Sequence, residues 1–357
     1  MSVETAQLRP GHVMSRVIKG GWQLAGGHGE VRPEAAIADM EAFLDAGITT
    51  FDCADIYTGV EEMIGHFIAD IRRRRGAEVA DRVVVHTKLV PDLSRLADIR
   101  PDEIEAIVDR SLKRLQIERI PLVQFFWWDM SLGNAVEQLE VLKDCQRKGK
   151  IGNLGTTNWD APVMDRFIDA GFDVVSAQVQ YSLLDRRPAG AFANWGERRD
   201  VQILCYGTLA GGFLTDAWLG KPDPGFSFEN RSLIKYRLII DEFGSWELFQ
   251  QLLSVLQSVG DKHGVALSSV ATRWVLDQPQ VAGAIVGARY ARHLPKTLEV
   301  FDVCLDAEDR AAIDAVLAQA AGPNGPVYAL EGDRAGRHGK IMKYNLNENP
   351  ADKVHGA

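Results

Sequence analysis

Cysteine is scarce in this 357-residue chain, and the scarcity is informative. Cys53, Cys145, Cys205 and Cys304 are dispersed and no two form a Cys-x-x-Cys pair, so neither a disulfide framework nor a cysteine zinc site is expected, and a reducing compartment fits. No stretch approaches the ~18 consecutive apolar residues of a membrane span. The first residues lack the basic-then-apolar pattern of a secretory signal, so the expected location is cytoplasmic. Positive charge is outweighed: 40 Lys and Arg stand against 49 Asp and Glu, a net charge of −9 that argues against nucleic acid or an anionic membrane as partner. The run Arg72-Arg73-Arg74-Arg75 does not reverse this, because it closes an expected helix beginning near Glu61, where cations complement the helix dipole. A Gly-x-Gly-x-x-Gly fingerprint is missing, which excludes a Rossmann-type dinucleotide domain. Internal repeats and coiled-coil heptads are missing too, and the pattern leaves the assembly state open.

What the chain does have is an ordinary globular composition, 46% hydrophobic and 25% charged, enough to bury a large core. It also has a repeated strand-then-helix rhythm. Short apolar runs end on residues that a packed core would not select: 49–51 on Asp52, 82–87 on Lys88, 122–126 on Trp127 and Trp128, 151–156 on Thr157 and Asn158, 174–177 on Gln178, 201–205 on Tyr206, and 282–286 on Gly287. Residues 17–22 supply an eighth strand. Between the runs, apolar residues at helical spacing predict helices, such as one through Met63, Ile64, Phe67 and Ile68 and one opened by Pro101 over 102–115. Further helices are expected at 132–146, 161–170, 189–198, 245–263, 267–276 and 292–301. A last one, at 307–320, lies outside the repeat.

Strand after strand delivering a chemical group at its carboxyl end predicts an α/β fold, one (β/α)8 TIM barrel over residues 1–321 with an extra C-terminal helix. Residues 207–244 interrupt the rhythm and, rich in Gly, Pro, Asp and aromatics, read as a long functional loop or lid. The polar segment 322–357 reads as a C-terminal tail. It is either mobile or strapped over the barrel mouth by Tyr328, Leu330, Ile341, Met342 and Tyr344.

The sharpest chemical signal is Asp52 at one strand end, Tyr57 five residues on, and Lys88 at the end of the next strand, because adjacent strand ends bring all three together. An ammonium beside a phenol favours the phenolate, so Tyr57 is expected to titrate below the ordinary phenol value of ~10. Asp52 would hold Lys88 by ion pairing. The result is a general acid poised to protonate a carbonyl under reduction, or a base for an alcohol under oxidation. The plainer reading is a buried salt bridge with a structural tyrosine nearby, and the strand-end pattern favours chemistry.

At these residues the chain resembles the aldo-keto reductase superfamily, from about Arg16 to Leu298, with Asp52, Tyr57 and Thr87-Lys88 in the family's Asp, Tyr and Thr-Lys pattern. The resemblance implies NAD(P)H-dependent interconversion of a carbonyl and an alcohol on a small molecule, with Tyr57 as general acid or base. It also implies a cofactor cradle. Thr157, Asn158 and Gln178 match residues that hold the nicotinamide carboxamide, Tyr206 matches the aromatic stacked on the nicotinamide ring, and Gly207, Leu209 and Gly211 match the segment along the pyrophosphate. Gly21 and Trp22 match the end of strand one. Gly287-Ala288-Arg289 matches the segment whose Arg contacts a 2′-phosphate, which favours NADP over NAD. His293 and Thr297 stand where the family usually has Gln and Asn at the adenine end, with Tyr290 and Arg292 nearby to compensate.

One departure from the family stands out. Its catalytic His at the end of strand four is replaced by Phe126, which cannot donate a hydrogen bond. Loss of one such donor costs on the order of 10²–10³ in rate. His86, two residues before Lys88, is the first substitute considered, although an interior histidine one layer deeper is the simpler reading; His28 and the tail's His338 are the others. Alternation sends Phe126 and Trp128 inward, as a substrate wall with Trp22 and either Phe213 or Trp218, and Trp127 outward into the core. Two further functions compete: a redox-neutral, cofactor-dependent epimerase or eliminase, and a cofactor-binding regulatory protein with little turnover.

Overall fold

The computed structural model describes residues 2–26, 29–228, 230–287 and 289–347. A short antiparallel hairpin comes first, β1 (Thr5–Arg9) and β2 (His12–Ser15). Eight parallel strands follow: β3 (Val17–Gly20), β4 (Thr50–Asp52), β5 (Val84–Leu89), β6 (Ile120–Phe125), β7 (Ile151–Thr157), β8 (Val174–Gln180), β9 (Gln202–Tyr206) and β10 (Val281–Gly287). They close in the order β10-β3-β4-β5-β6-β7-β8-β9, a (β/α)8 TIM barrel.

The helices are α1 (Pro33–Asp45), α2 (Val60–Arg75), α3 (Ala77–Ala80), α4 (Pro101–Leu115), α5 (Ala135–Arg147), α6 (Ala161–Asp169), α7 (Ala191–Arg199), α8 (Arg231–Phe243), α9 (Trp246–His263), α10 (Leu267–Leu276), α11 (Leu294–Leu298), α12 (Ala307–Leu317) and α13 (Ala329–Gly332). Local sequence explains several of their starts. Pro101 occupies the first turn of α4 and Glu103 completes its capping box, while Asn134, Asp160 and Ser245 cap α5, α6 and α9 through their side chains. Among the described residues no helix is long and apolar enough to cross a membrane.

The hairpin plugs the amino-terminal end of the barrel. Leu8 and Met14 pack with Ile18, Leu122, Val175, Leu204 and Ala282 of the strands, and the larger core lies between strands and helices. Strand alternation sorts each side chain between these two cores. On β5, Val85 faces the helices, while His86 and Lys88 stand on the opposite face; on β6, Val123 and Phe125 face the helices and Leu122 and Gln124 the interior.

Three segments differ from the sequence-based expectation. The hairpin was not anticipated. Residues 207–244 are not one loop: they hold two 3-10 turns and then the 13-residue helix α8, capped by Asn230, with Tyr236, Ile239, Ile240 and Phe243 buried along one face. The helix expected at 292–301 is split into 3-10 turns at 291–293 and 299–301 on either side of α11.

Residues 328–347 lie against the loops that follow β5, β6 and β8. Leu93 N donates to Tyr344 O (2.9 Å), Ser94 N to Asn345 Oδ1 (3.0 Å), and Asn347 N to Asp92 Oδ1 (2.9 Å). Tyr344 and Tyr328 pack their rings on Trp128 and Phe126, with centroids 5.1 and 5.6 Å apart.

Candidate active site

Tyr57 rides on a loop that its neighbours hold tightly. Cys53 N donates to His86 O and Asp55 N to Lys88 O, which continues the β4–β5 pairing past the end of the strand. The Asp55 carboxylate accepts from Val90 N (3.1 Å), and Glu61 at the start of α2 accepts from Thr87 Oγ1 (2.7 Å) and Arg114 (3.3 Å). Gly21 makes room on the other side, since a Cβ there would meet Val60 and the Asp52 carbonyl oxygen at 2.7 and 2.8 Å.

Lys88 Nζ lies 2.5 Å from Asp52 Oδ1 and 3.0 Å from Cys53 O, with both side chains nearly sealed from solvent. Asp52 Oδ2 accepts from Gln178 Nε2 (2.7 Å) and Gln124 Nε2 (3.2 Å), and Gln178 also donates to Gln124 Oε1 (2.8 Å). The buried carboxylate thus has a cation on one oxygen and two amides on the other, as a charge in a low-dielectric interior requires. Lys88 Nζ stands 5.1 Å from the centroid of the half-buried Tyr57 ring, and the Trp22 ring packs on the other side at 5.0 Å. The expectation for Tyr57 acidity is corrected: burial pushes its pKa up, and Lys88, opposed by the negative charge of Asp52, offsets only part of that rise. Burial likewise opposes the Lys88 charge, but Asp52 outweighs it and holds the ammonium protonated.

The expected carboxamide-binding residues meet at the ends of β7, β8 and β9. Thr157 Oγ1 donates to Gln178 O (3.1 Å), Asn158 adopts a left-handed backbone (φ 60°), and its Oδ1 accepts from Tyr206 OH (2.9 Å). The Gln178 side chain points instead to Asp52 and Gln124. Gly207 and Gly211 have positive φ, and a Cβ on either would meet the Tyr236 ring system within 2.6 Å. Leu209 closes the turn between them, its carbonyl accepting from Gly212 N and Leu214 N. Lys235 Nζ lies 5.0 Å from the Tyr206 ring centroid, and Trp22 Nε1 donates to Ser232 Oγ (3.1 Å), so α8 closes over this end of the barrel.

The adenine-end residues lie at the end of β10 and just beyond it. Gly287 packs against the Gln23 amide, Arg289 and Arg292 stack on the Tyr290 ring at 4.9 and 4.5 Å, and Arg289 donates to Glu30 O. Arg292 Nε also reaches His293 Nε2 at 3.2 Å, and Thr297 Oγ1 donates to His293 O. Burial, Arg292 and Lys296 together lower the His293 pKa.

Phe126 is buried, with the rings of Trp128 and Tyr328 edge-on at 4.8 and 5.6 Å. Trp127 is core and donates to Leu132 O. Phe213 and Trp218 do not join the wall: they pack on each other and on Trp246 at the start of α9. None of the considered histidines takes the place of the missing one in the described residues. His86 pairs with His12 (Nε2 to Nε2, 3.0 Å) below the Lys88 layer, and burial drives its pKa well down, so it stays neutral. His338 pairs with Glu242 at the end of α8, and His28 lies outside the described residues.

Sequence reasoning passed over Gln124, Lys235, Tyr236 and Glu331. Gln124 was within reach by alternation, two residues before Phe126. Glu331 accepts from Arg187 (3.2 and 3.3 Å) and lies 3.4 Å from Lys235, while Arg187 also pairs with Asp185 at 2.6 Å. Nothing local marks Arg187 and Lys235 as the partners of Glu331, from which both are far removed in the chain.

Comparison with known proteins agrees with this geometry. The model of the Aldo/keto reductase family matches residues 16–318. The aldo-keto reductase YhdN of Bacillus subtilis is 30% identical over 325 residues, covering 88% of this chain and 93% of that protein. A relative from Schizosaccharomyces pombe, named as an NADP(+) aldo-keto reductase, is 26% identical over 78% of this chain and 81% of its own length. Among solved structures, the glycerol dehydrogenase of Gluconobacter oxydans superposes with a TM-score of 0.74 at 26% identity, covering 91% of this chain and 98% of that one. The barrel, the strand-end residues and these matches agree: the chain belongs to the aldo/keto reductase family of nicotinamide-dependent oxidoreductases.

Proposed function

We propose that this protein is an NADP(H)-dependent oxidoreductase interconverting a small carbonyl compound and its alcohol, with Tyr57 as the general acid/base. The observation that supports this above all others is the convergence of a half-buried phenol, the Lys88 ammonium and the Asp52 carboxylate at adjacent strand ends. The donor set suits a dinucleotide. The Tyr206 ring offers a stacking face, Thr157 and the Asn158 amide suit a carboxamide, the turn 207–211 suits a pyrophosphate, and the Arg289–Tyr290–Arg292 stack suits a phosphorylated ribose and adenine. The NADP(+) in the name of the S. pombe relative is consistent with that choice. A bound nicotinamide would supply or accept hydride at the substrate carbon.

The proton is the chain's own contribution. Tyr57, held in its acid form by burial, donates to the developing alkoxide in reduction and takes the hydroxyl proton back in oxidation. Lys88 stabilises the phenolate left behind, and Asp52 with its two amides keeps that ammonium in place. Trp22 and Phe126 supply apolar walls that exclude water.

Stopped-flow nicotinamide absorbance over a panel of carbonyls and alcohols tests the reading. Tyr57→Phe is expected to lower turnover by about 10²–10⁴-fold with NADPH binding retained. Tight NADPH binding with negligible turnover of the native protein across the panel would favour the regulatory reading instead. An undiminished Tyr57→Phe would refute the assigned role.

A further inference from the structure

Phe126 leaves the barrel mouth without the donor expected at the end of β6, and the residue packed edge-on against it comes from the far end of the chain. Tyr328 has its ring centroid 5.6 Å from that of Phe126. Its hydroxyl is buried and makes no hydrogen bond among the described residues, whereas the Tyr206 hydroxyl is bonded to Asn158 and that of Tyr344 to Gly339 O. A buried, unpaired hydroxyl is costly unless something completes it. Burial chiefly raises the Tyr206 pKa, and Glu331, Tyr236 and Tyr328 add to that rise, so Tyr328 belongs to the group of phenols around the ring on which a nicotinamide would stack. The placement is built. Tyr328 holds a left-handed backbone (φ 64°), unusual for a bulky residue, in the turn ahead of α13, and one turn on Glu331 is clamped by Arg187 and Lys235.

We propose that the Tyr328 hydroxyl is a second hydrogen-bond donor to the substrate oxygen, doing the work of the imidazole that position 126 lacks. This rests on the proposed carbonyl–alcohol reaction. In reduction the hydride forms the new C–H bond, Tyr57 delivers the proton that completes the O–H bond, and Tyr328 keeps its own proton while bonding to the oxygen. Burial and Glu331 raise the Tyr328 pKa, which keeps it a donor.

The test is Tyr328→Phe, which keeps the ring and removes only the hydroxyl, beside Tyr57→Phe and the double variant Phe126→His/Tyr328→Phe. Carbonyl reduction is followed under saturating NADPH, with cofactor affinity measured by fluorescence titration. Tyr328→Phe is expected to lose about 10²–10³-fold in kcat with NADPH affinity unchanged, and an imidazole at 126 in the double variant to recover at least about tenfold. A Tyr328→Phe variant within about threefold of the native kcat, with Tyr57→Phe inactive, would overturn this inference alone. An active Tyr57→Phe would overturn the parent reading. Should either variant also loosen the fold, kcat counted per NADPH-binding site decides: its recovery in the double variant supports the donor role and its absence overturns it.

Discussion

Replacing Lys88 by Met keeps the length of the side chain and removes its charge, which makes it the sharpest probe of the centre of the site. Lys88 Nζ is 2.5 Å from Asp52 Oδ1, and the two side chains are 6% and 4% exposed, so water cannot substitute for the lost partner. The variant would leave a carboxylate with two amide donors on Oδ2 and nothing on Oδ1. Breaking a buried pair by removing one member costs about 3–5 kcal/mol, whereas neutralising both members is far milder. In Asp52→Asn/Lys88→Met no charge remains, and the deficit shrinks to a hydrogen bond or two, about 1 kcal/mol each. Equilibrium urea unfolding of the native protein, both single variants and the double variant should therefore give a favourable coupling of at least about 2 kcal/mol, with the double variant more stable than Lys88→Met. The chemistry should shift too. Lys88 opposes the upward push of burial on Tyr57, so without it the phenol titrates still higher and alcohol oxidation needs more alkaline buffer. A Lys88→Met protein less than about 1 kcal/mol weaker than native would refute a dry, mutually dependent pair.

Burial holds Tyr57 in its acid form beyond the usual phenol range, so the reduction rate should stay level past about pH 9 while alcohol oxidation climbs with pH; a reduction limb falling near neutrality would contradict this. Burial would raise the Glu331 pKa, but Lys235 and Arg187 bring it down to about 2. A depressed carboxylate stabilises the fold above its ordinary value and loses that effect as pH falls, so near-UV circular dichroism of the Trp128–Tyr344 region should change between about pH 4 and pH 2, and Glu331→Gln should show the change already at neutral pH. Gly207→Ala places a Cβ 2.4 Å from Tyr236 Oη at φ 71°, so it should cost at least about 1–2 kcal/mol in urea unfolding and less when combined with Tyr236→Phe, which removes the clashing oxygen.

The barrel was legible because its strands carry two signals at once, an apolar run and a chemical residue at its carboxyl end. β7 and β9 end where Thr157 and Tyr206 imply, and α4 begins at Pro101 because a proline suits a first helical turn. The hairpin was not expected although Pro10-Gly11 is a turn signal, because its two short strands lie outside the βα repeat that starts at Val17. The periodicity of α8 through Tyr236, Ile239, Ile240 and Phe243 is equally plain, yet the glycine- and proline-rich stretch before it coloured the whole segment. The Tyr57 shift was misjudged for a different reason: charge neighbours can be counted from a sequence, but desolvation depends on walls contributed by Trp22 and other distant residues. The pairing of Glu331 with Arg187, 144 positions away, is of the same kind.

Phe126 and the segment beyond α12 make sense only together. An imidazole at position 126 would need a partner for each ring nitrogen, whereas a phenyl ring packs edge-on with Trp128 and Tyr328, each contact adding about 0.5–1.5 kcal/mol beyond area burial. Tyr344 extends the same wall from Trp128, so the ring at 126 helps to seat residues 328–344 against the loops after β5 and β6. A histidine there would keep a donor and weaken that seat; the phenylalanine strengthens the seat, which in turn carries the Tyr328 hydroxyl. On the proposed assignment, stability of the tail and turnover are therefore linked. Glu331→Gln, which loosens the clamp behind Tyr328, should lower kcat as well as the unfolding midpoint, whereas an ion pair far from the barrel mouth such as Arg74–Glu41 should move kcat little when broken.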